Sequence, residues 1–444
     1  MVSMWSLSSV PMPATDPAPA APELVTVLGA GHVGLVTAVG FAHHGIRVKV
    51  GEANPDRLAL LQAGGVPFHE PGLEPLVAEC VASGLLTFHA SNAEAADGAT
   101  AVFLAVPTPA GLDGSADLTA VESAIRSIAG VVADTTAVVV KSSVPPGSWR
   151  RIRVWMEDAG CPGSLVINPE FLQEGKAVEG VLSPTRVVVG STDSAASEVV
   201  AGLHAPFGTK VLKTDPTSAE LTKYAANSYL AMRVTFANTI ANLADLVGAD
   251  IADVIEGIGL DPRIGSRFLR PGPGYGGSCF PKDLPALIAT AAERGLHLDL
   301  LQAVVDVNAA QIDRVVGKLT DAVGPLTGKK IALLGLAYKA DTDDLAESPA
   351  IRLADALVGA GASVTAYDPA ARAEMEAVVQ VGSALEALQG ADAVLIATEW
   401  PEFASLDLER VAAAMDGKVV VDARNMLDRE ASLSAGLDYR GMGR

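Results

Sequence analysis

Apolar residues in this chain gather in short runs, each closed by glycine or a polar turn and followed by a stretch in which apolar positions recur at helical spacing. Leu24 to Leu28 is the first run; it breaks into Gly29-Ala30-Gly31-His32-Val33-Gly34 and an Ala/Val/Phe-rich helical pattern through Gly45. Arg47 to Val50 follows, then Ala101 to Val106, Ala137 to Val140, Leu165 to Ile167 and Arg186 to Gly190. Strands alternating with helix-length segments predict a doubly wound parallel sheet, because parallel neighbours need a crossover between them.

From Pro216 to about Ala310 the pattern changes to long helices, with Leu221, Tyr224, Ala225 and Ser228 at helical spacing and a glycine-rich interruption from Pro271 to Gly277. The last third begins the strand pattern again. Lys330 to Leu334 runs into Gly335-Leu336-Ala337-Tyr338-Lys339, Ser363 to Tyr367 ends at Asp368, and Ala393 to Ala397 follows. Arg47-Val-Lys-Val-Gly-Glu52 parallels Ser363-Val-Thr-Ala-Tyr-Asp368, and Ala101-Val-Phe-Leu-Ala105 parallels Ala393-Val-Leu-Ile-Ala397. The expected fold is therefore α/β: two Rossmann-like domains with doubly wound parallel sheets, joined by a helical connector with a long central helix. The expected boundaries are a disordered tail over 1–22, a first nucleotide-binding domain over 23–213, a helical and dimerising domain over 214–317, and a second nucleotide-binding domain over 318–444. A chain of 444 residues also exceeds what one core ordinarily organises.

Composition narrows the partners. No apolar run reaches bilayer-spanning length, and the Pro/Ala/Ser-rich start has no basic residue, so neither a membrane span nor a secretion signal is expected. A net charge of −20 argues against nucleic acid and anionic membranes. Cys80, Cys161 and Cys279 are an odd set without close spacing. They suggest no disulfide framework and no metal site, but reduced thiols in a cytoplasmic protein.

Gly29-x-Gly31-x-x-Gly34 between a strand and a helix, with Glu52 at the end of the next strand, has the spacing of a dinucleotide site. The glycines allow a tight turn and close approach of a pyrophosphate to the helix N-terminus, and the acid suits a ribose hydroxyl. Gly29, Gly31, His32, Val33, Gly34 and Glu52 are thus the expected lining. A carboxylate there favours NAD over NADP, although nearby Arg57 could accept an extra phosphate. The His32 ring itself is read as a surface group without a chemical role. The alternative is a tight turn with no ligand.

Gly272-Pro-Gly-Tyr-Gly-Gly-Ser-Cys279-Phe-Pro-Lys282-Asp283 presents one thiol in a flexible loop beside a Lys-Asp pair. A cation near a cysteine lowers its pKa and makes it a nucleophile. A buried structural cysteine is the competing reading, but it would need neither the glycines nor the charged pair.

At this point the chain resembles the UDP-glucose/GDP-mannose dehydrogenase family, from Val25 to about Leu427. The resemblance is carried, in order, by the first glycine turn, Pro67-Phe-His-Glu-Pro-Gly-Leu73, Lys141-Ser-Ser-Val-Pro145, Asn168-Pro-Glu-Phe-Leu-Gln-Glu-Gly175, Lys223-Tyr-Ala-Ala-Asn227, Arg263-Ile-Gly265, the Cys279 loop, Gly335-Leu-Ala-Tyr-Lys339 and Asp422-Ala-Arg-Asn425. It implies that a primary alcohol of a nucleotide sugar is oxidised twice with NAD and no metal, through a thiohemiacetal and a thioester on Cys279. It further implies Lys223 and Asn227 at the developing oxyanion, Asp283 and Ser143 on the hydrolytic water, Glu170 in proton transfer, and Glu174 in contact with cofactor and substrate. Pro107, Thr108 and Ser143 would join the cofactor lining. Phe171, Leu172, Gly274, Tyr275, Gly276, Tyr338, Lys339, Arg270 and Arg424 would line the substrate pocket, and Arg263 would reach a neighbouring subunit's substrate, implying at least a homodimer.

Taken singly these residues have plainer readings: Lys223 as a solvated helix lysine, Glu170 and Glu174 as an exposed i, i+4 pair, Asp283 as the cap of a helix beginning near Leu284. The wording of the Arg263 and Cys279 segments leans toward UDP-glucose; GDP-mannose and UDP-N-acetylhexosamines are alternatives, as are a single-step dehydrogenase of the hydroxyacid type and a catalytically silent binding protein. Three positions depart from the family. Ser143 stands where Thr is usual and keeps the hydroxyl. Ala346 stands where an arginine normally meets the cofactor, which predicts weaker NAD binding or rescue by another group. Thr239 replaces a frequent Glu, with no consequence that follows.

Overall fold

Both expected glycine turns sit at the end of the first strand of a sheet. The computed structural model describes residues 24–111 and 114–444; the tail expected over 1–22 lies outside the described residues. The first sheet contains β1 (Leu24–Leu28), β2 (Arg47–Gly51), β3 (Leu86–His89), β4 (Ala101–Leu104), β5 (Ala137–Val140), β6 (Ser164–Ile167), β7 (Val187–Ser191) and β8 (Val211–Thr214), in the order β3-β2-β1-β4-β5-β6-β7-β8. The second contains β9 (Lys330–Leu334), β10 (Ser363–Tyr367), β11 (Val378–Gln380), β12 (Ala393–Ile396), β13 (Val419–Asp422) and β14 (Asp438–Gly441), in the order β11-β10-β9-β12-β13-β14. In each sheet the order reverses direction beside the first strand, which opens a crevice at the carboxyl ends of the strands, where ligands bind in such folds.

One feature departs from the all-parallel expectation. β6 and β7 pair antiparallel, and β8 then runs parallel to β7. The chain from Asn168 to Arg186 returns without crossing the sheet, so β7 enters against β6. That return carries Glu170 and Glu174 across the strand ends, and its only helix, Ala177–Leu182, starts after both.

The inner strands are largely buried, as continuous Val/Ile/Leu/Ala runs require of a sheet covered on both faces, while the edge strands β8 and β11 are only partly covered. Between the sheets runs one helix of 32 residues, Pro216–Val247. Asp215 caps its first turn by accepting from the Ser218 N–H, Pro216 fits the donor-free first position, and Gly248 closes it in the left-handed conformation. Its inward face is small and polar, with Ala219, Lys223, Asn227, Ala231, Ala237 and Ala241 buried, so neighbouring backbone can approach closely. Helices Phe280–Ala292 and Asp299–Val323 pack against it. Among the described residues no helix is long and apolar enough to cross a membrane.

Candidate active site

Gly34 shows why the dinucleotide turn needs glycine: a Cβ there would lie 1.9 Å from the Gly29 carbonyl oxygen. At Gly31, by contrast, a Cβ would meet nothing within 4 Å. That open face at the start of helix His32–His43 is the space a pyrophosphate requires. Glu52 accepts from the Ala30 N–H at 2.9 Å and the Asn54 N–H at 2.7 Å, which fixes its carboxylate at the end of β2. Arg57 pairs with it at 3.4 Å. Its charge is thus engaged by Glu52 and the turn fits NAD. Thr108 donates to the Ser143 carbonyl at 3.0 Å, bringing those two cofactor candidates together beside the exposed Pro107.

The expectation for His32 is corrected. Its Nε2 lies 2.7 Å from Glu70 Oε2, and its ring stacks on Phe68 at 4.4 Å. Glu70 also accepts from the N–H groups of Gly175 and Ala177, at 2.7 and 2.8 Å. Burial alone would raise the Glu70 carboxyl; His32 and the two amides outweigh it and hold it below the usual range. His32 therefore ties the cofactor turn to the return loop carrying Glu174.

The thiol loop is clamped from three sides. The Gly272 N–H donates to Asn238 Oδ1 at 2.7 Å, and its carbonyl accepts from Gln311 at 3.0 Å. Asn308 pairs with both backbone groups of Tyr275, at 2.8 and 3.2 Å. The Gly277 N–H donates to the Ala346 carbonyl at 2.9 Å. Gly277 has φ +84°, and a Cβ on it would stand 2.8 Å from the Tyr338 ring. Gly274 and Gly276 belong to the same loop. The Tyr275 ring, expected in the substrate pocket, is instead buried in a small cluster with Ala231, Leu284 and Val304, edge-on to Phe280 at 5.8 Å.

Cys279 ends this loop as the N-cap of helix Phe280–Ala292. Asp283 therefore sits within the first turn and caps nothing; it is fully buried, with the Lys282 Nζ 2.7 Å from one oxygen and the Asn227 Nδ2 donating to the other at 2.7 Å. Lys223, one helical turn before Asn227, is 3% exposed, and its Nζ lies 2.6 Å from Glu170 Oε1. It is no solvated lysine, and Glu170 and Glu174 lie on no helix. Glu174 accepts from the Tyr338 hydroxyl at 2.8 Å and the Ser278 hydroxyl at 3.2 Å, joining the two nucleotide-binding halves across the cleft.

Electrostatics follow from this crowding. Burial would lower the Lys223 ammonium, but the carboxylates of Glu170 and Asp283 hold it above the ordinary range. Burial would raise Glu170, and Lys223 holds it low. The pair is a carboxylate and an ammonium. The Cys279 thiol corrects the expected lowering: burial, joined by Glu170, Asp283 and Glu174, pushes it up to about 11 against the opposing pull of Lys223. The resting sulfur is a thiol.

On the far wall Lys339 lies 5.2 Å from the Tyr338 ring centroid, its pKa lowered by burial. Arg424 donates to the carbonyls of Ala397 and Tyr338 and pairs with Glu399 at 3.2 Å. Phe171 holds Arg186 on its face at 3.8 Å, and the Leu172 N–H donates to Glu170. Arg263, paired with Asp261, and Arg270 are exposed and are not brought into this cluster. Sequence reasoning missed Glu70, Asn308 and Gln311 as functional supports. Glu70 stood inside a quoted motif, whereas Asn308 and Gln311 are polar residues three apart on a helix, with no signal to separate them from a solvated face.

Residues 23–208 match the NAD binding domain of the UDP-glucose/GDP-mannose dehydrogenase family, 217–310 its central domain and 332–429 its UDP binding domain. The chain is 42% identical over 434 residues to a UDP-glucose 6-dehydrogenase of Rhizobium meliloti, covering 95% of this chain and 99% of that one. It is 38% identical over 430 residues to UDP-glucose 6-dehydrogenase TuaD of Bacillus subtilis, covering 95% and 93%. A solved UDP-glucose dehydrogenase from Pyrobaculum islandicum superposes with a TM-score of 0.90 at 37% identity, covering 97% of this chain and all of that one. Family domains, relatives and architecture agree with one another, and the chain belongs to the UDP-glucose/GDP-mannose dehydrogenase family.

Proposed function

We propose that this protein oxidises the C6 alcohol of UDP-glucose to the carboxylate of UDP-glucuronate, using NAD twice. The observation that carries the reading is the convergence of Cys279, the Lys223–Glu170 ion pair and the Asn227–Asp283 contact in one cleft between two nucleotide-binding halves. The choice of UDP-glucose is supported by relatives of that name aligned over nearly the whole of both chains.

Bound NAD supplies hydride acceptance, which no side chain can. The Lys223 ammonium, aligned by Glu170, offers N–H donors to an oxygen that gathers negative charge. Cys279 adds across the aldehyde: sulfur bonds to carbon and the thiol proton ends on oxygen. The tetrahedral adduct carries a hydrogen that can leave as hydride, and the product is a thioester. Asp283, held on both oxygens, orients the water that adds to this thioester, with the Ser143 hydroxyl in support. The C–S bond then breaks, sulfur regains a proton, and the acid departs. Lys339 and Arg424 supply positive charge for a diphosphate in a chain of net charge −20. The domains assigned to 23–213, 214–317 and 318–444 then hold cofactor, catalytic helix and nucleotide sugar.

The test is a panel of nucleotide sugars with NAD, scoring NADH formed per sugar consumed. UDP-glucose should give a ratio of two, and Cys279→Ser should release no acid. Turnover of GDP-mannose or a UDP-N-acetylhexosamine in preference, or a ratio of one, would overturn the assignment.

A homodimer belongs to the same proposal. The central helix exposes Tyr229, Phe236 and Leu243 seven residues apart, with Leu221, Leu246 and Val247 on the same helix. An apolar stripe of this size marks an association surface, and Tyr229→Asp should yield monomers in sedimentation. A reducing compartment such as the cytoplasm fits a mechanism that needs Cys279 unoxidised.

A further inference from the structure

A cavity of about 130 Å³ shares Glu170 with the site but includes none of Cys279, Lys223, Asn227 or Asp283. Its walls are partly apolar, with Phe41 and Phe207, yet Thr37, Lys141 and His204 also line it. Thr37 is 3% exposed and its hydroxyl has no partner in the protein. Lys141, directly after β5, is buried, and its ammonium donates to Asn168 Oδ1 at 3.0 Å. An ammonium has three N–H groups. The His204 Nδ1–H donates to the Val200 carbonyl at 2.8 Å, which leaves Nε2 as an acceptor. A polar cavity with unsatisfied donors and acceptors holds water, and at about 30 Å³ each there is room for several. The exposed residues Ser183, Thr185 and Arg186 line its outer end.

We infer that this cavity is a hydrated proton relay, in which Lys141 exchanges protons between Glu170 and ordered waters leading to the surface at residues 183–186. The inference rests on the reaction proposed above. Turning CH2OH into a carboxylate, with one water added and two hydrides departing to NAD, liberates three protons that must leave the site. A proton reaching Glu170 passes to the neutral Lys141 amine: an O–H bond breaks and an N–H bond forms. Lys141 then returns an N–H proton to a cavity water, and no electrons are gained or lost. Burial lowers Lys141 to about 8, opposed by Glu170 and assisted by Lys223, so both its forms are accessible near neutrality. The charged or titratable groups facing it are Glu170, Lys223, His204 and Arg186. His204 is driven to about 3 by burial and by Lys141, and stays a neutral acceptor.

The experiment compares the parent, Lys141→Ala and Val181→Phe, the last filling the cavity with Lys141 intact, after thermal melts confirm folding. Lys141→Ala should lower kcat by about 100-fold, the lower end of what loss of a proton-transfer group costs. KM should be unchanged and the solvent deuterium isotope effect larger, while added methylamine restores turnover saturably. Val181→Phe should lose kcat without methylamine rescue. An unchanged kcat and isotope effect in Lys141→Ala, or a loss that methylamine leaves untouched beside a fully active Val181→Phe, overturns the relay. A high-resolution crystal structure adds a readout independent of substrate: ordered waters between Lys141 and Thr185 are expected, and a dry cavity ends the idea. Failure of the reaction itself would show separately, as a parent enzyme that forms no NADH from UDP-glucose.

Discussion

The raised Cys279 thiol gives a prediction that can be worked in numbers. Moving from an ordinary 9.0 to about 11 opposes ionisation by about 2.7 kcal/mol. At pH 7.5 the ionised fraction falls to roughly 1 in 3,000, about 100-fold below that of an unperturbed thiol at the same pH. A more basic thiolate is intrinsically more nucleophilic, which returns about tenfold for two units, so alkylation by iodoacetamide should run about tenfold slower than for a surface cysteine. Its rate should climb about tenfold per pH unit from 7 to 10, with a half-maximum near 11, read by mass spectrometry of the Cys279 peptide. Lys223→Met removes the ammonium that pulls the sulfur down and leaves Glu170, Asp283 and Glu174 in place, so its alkylation should be slower still at pH 9. That variant also strands a buried carboxylate, costing about 3–5 kcal/mol, and must be assayed well below its melting temperature. A half-maximum at or below pH 9 in the parent, or faster alkylation in the variant, would refute the electrostatic account. A thiol that rests protonated resists oxidation and ionises only as the aldehyde receives its proton.

Ala346→Arg should tighten NAD binding by about 5- to 10-fold through a charge-assisted contact, measured by calorimetry; the Ala346 backbone is already tied to Gly277 and Asp344, so the loop need not move, and an unchanged Kd would count against it. Gly277→Ala forces a side chain into φ +84° and to within 2.8 Å of Tyr338; a loss of about 1–3 kcal/mol is expected in denaturant melts, and a neutral result would show that the loop yields freely. Glu170→Gln leaves Lys223 buried and should cost about 3–5 kcal/mol near pH 7. Because Glu170 sits below its ordinary 4.5 in the folded protein, its contribution is present above that pH and fades as pH falls through the folded value; urea midpoints of parent and variant should therefore converge in acid, and a gap constant from pH 7 to 3 would contradict the sign. Glu220 accepts the Gly147 and Trp149 N–H groups, at 2.6 and 2.7 Å, one on each oxygen; Glu220→Gln can accept only one and should lower stability by about 1–3 kcal/mol.

Local pattern settled β1, β2, β4, β5, β6, β7, β9, β10 and β12, whose runs are mostly apolar and end at glycine or a polar turn, but it missed β3, β8, β11, β13 and β14. It could not settle the direction of β7, which depends on whether residues 168–186 cross the sheet or turn back. The thiol was conspicuous in its loop, whereas its pKa was misjudged from Lys282 next to it in sequence. The groups that decide it, Glu170, Asp283, Glu174 and Lys223, arrive from three separate stretches. Lys282 spends its charge on Asp283 and Thr108 instead. His32 was misread for the same reason: a turn residue looks solvent-exposed until Phe68 and Glu70 are brought onto its ring.

The repeat visible in the sequence also explains why its two halves take different ligands. In both, an acid at the end of the second strand accepts backbone N–H groups from the glycine turn: Glu52 from Ala30, and Asp368 from Leu336 and Ala337, at 2.7 and 3.0 Å. In the first half the carboxylate is also paired with the half-exposed Arg57 at 3.4 Å, beside a turn whose Gly31 faces open space. In the second it is fully buried, and the same oxygen that binds the turn also accepts from the Trp400 indole at 3.1 Å. Ala337, wholly buried, stands where the first half has Gly31. The second turn thus fills with its own side chains the space that the first leaves for a pyrophosphate, and its acid is spent on structure rather than on a ribose. On the reading proposed above, binding there falls to Tyr338, Lys339 and Arg424 beyond the turn; the Tyr338 hydroxyl donates to Glu174 of the opposite domain, and Arg424 donates to the Tyr338 carbonyl. The two halves share a frame, and on the proposed reading the difference between open Gly31 and buried Ala337 separates a dinucleotide site from a site for a nucleotide sugar.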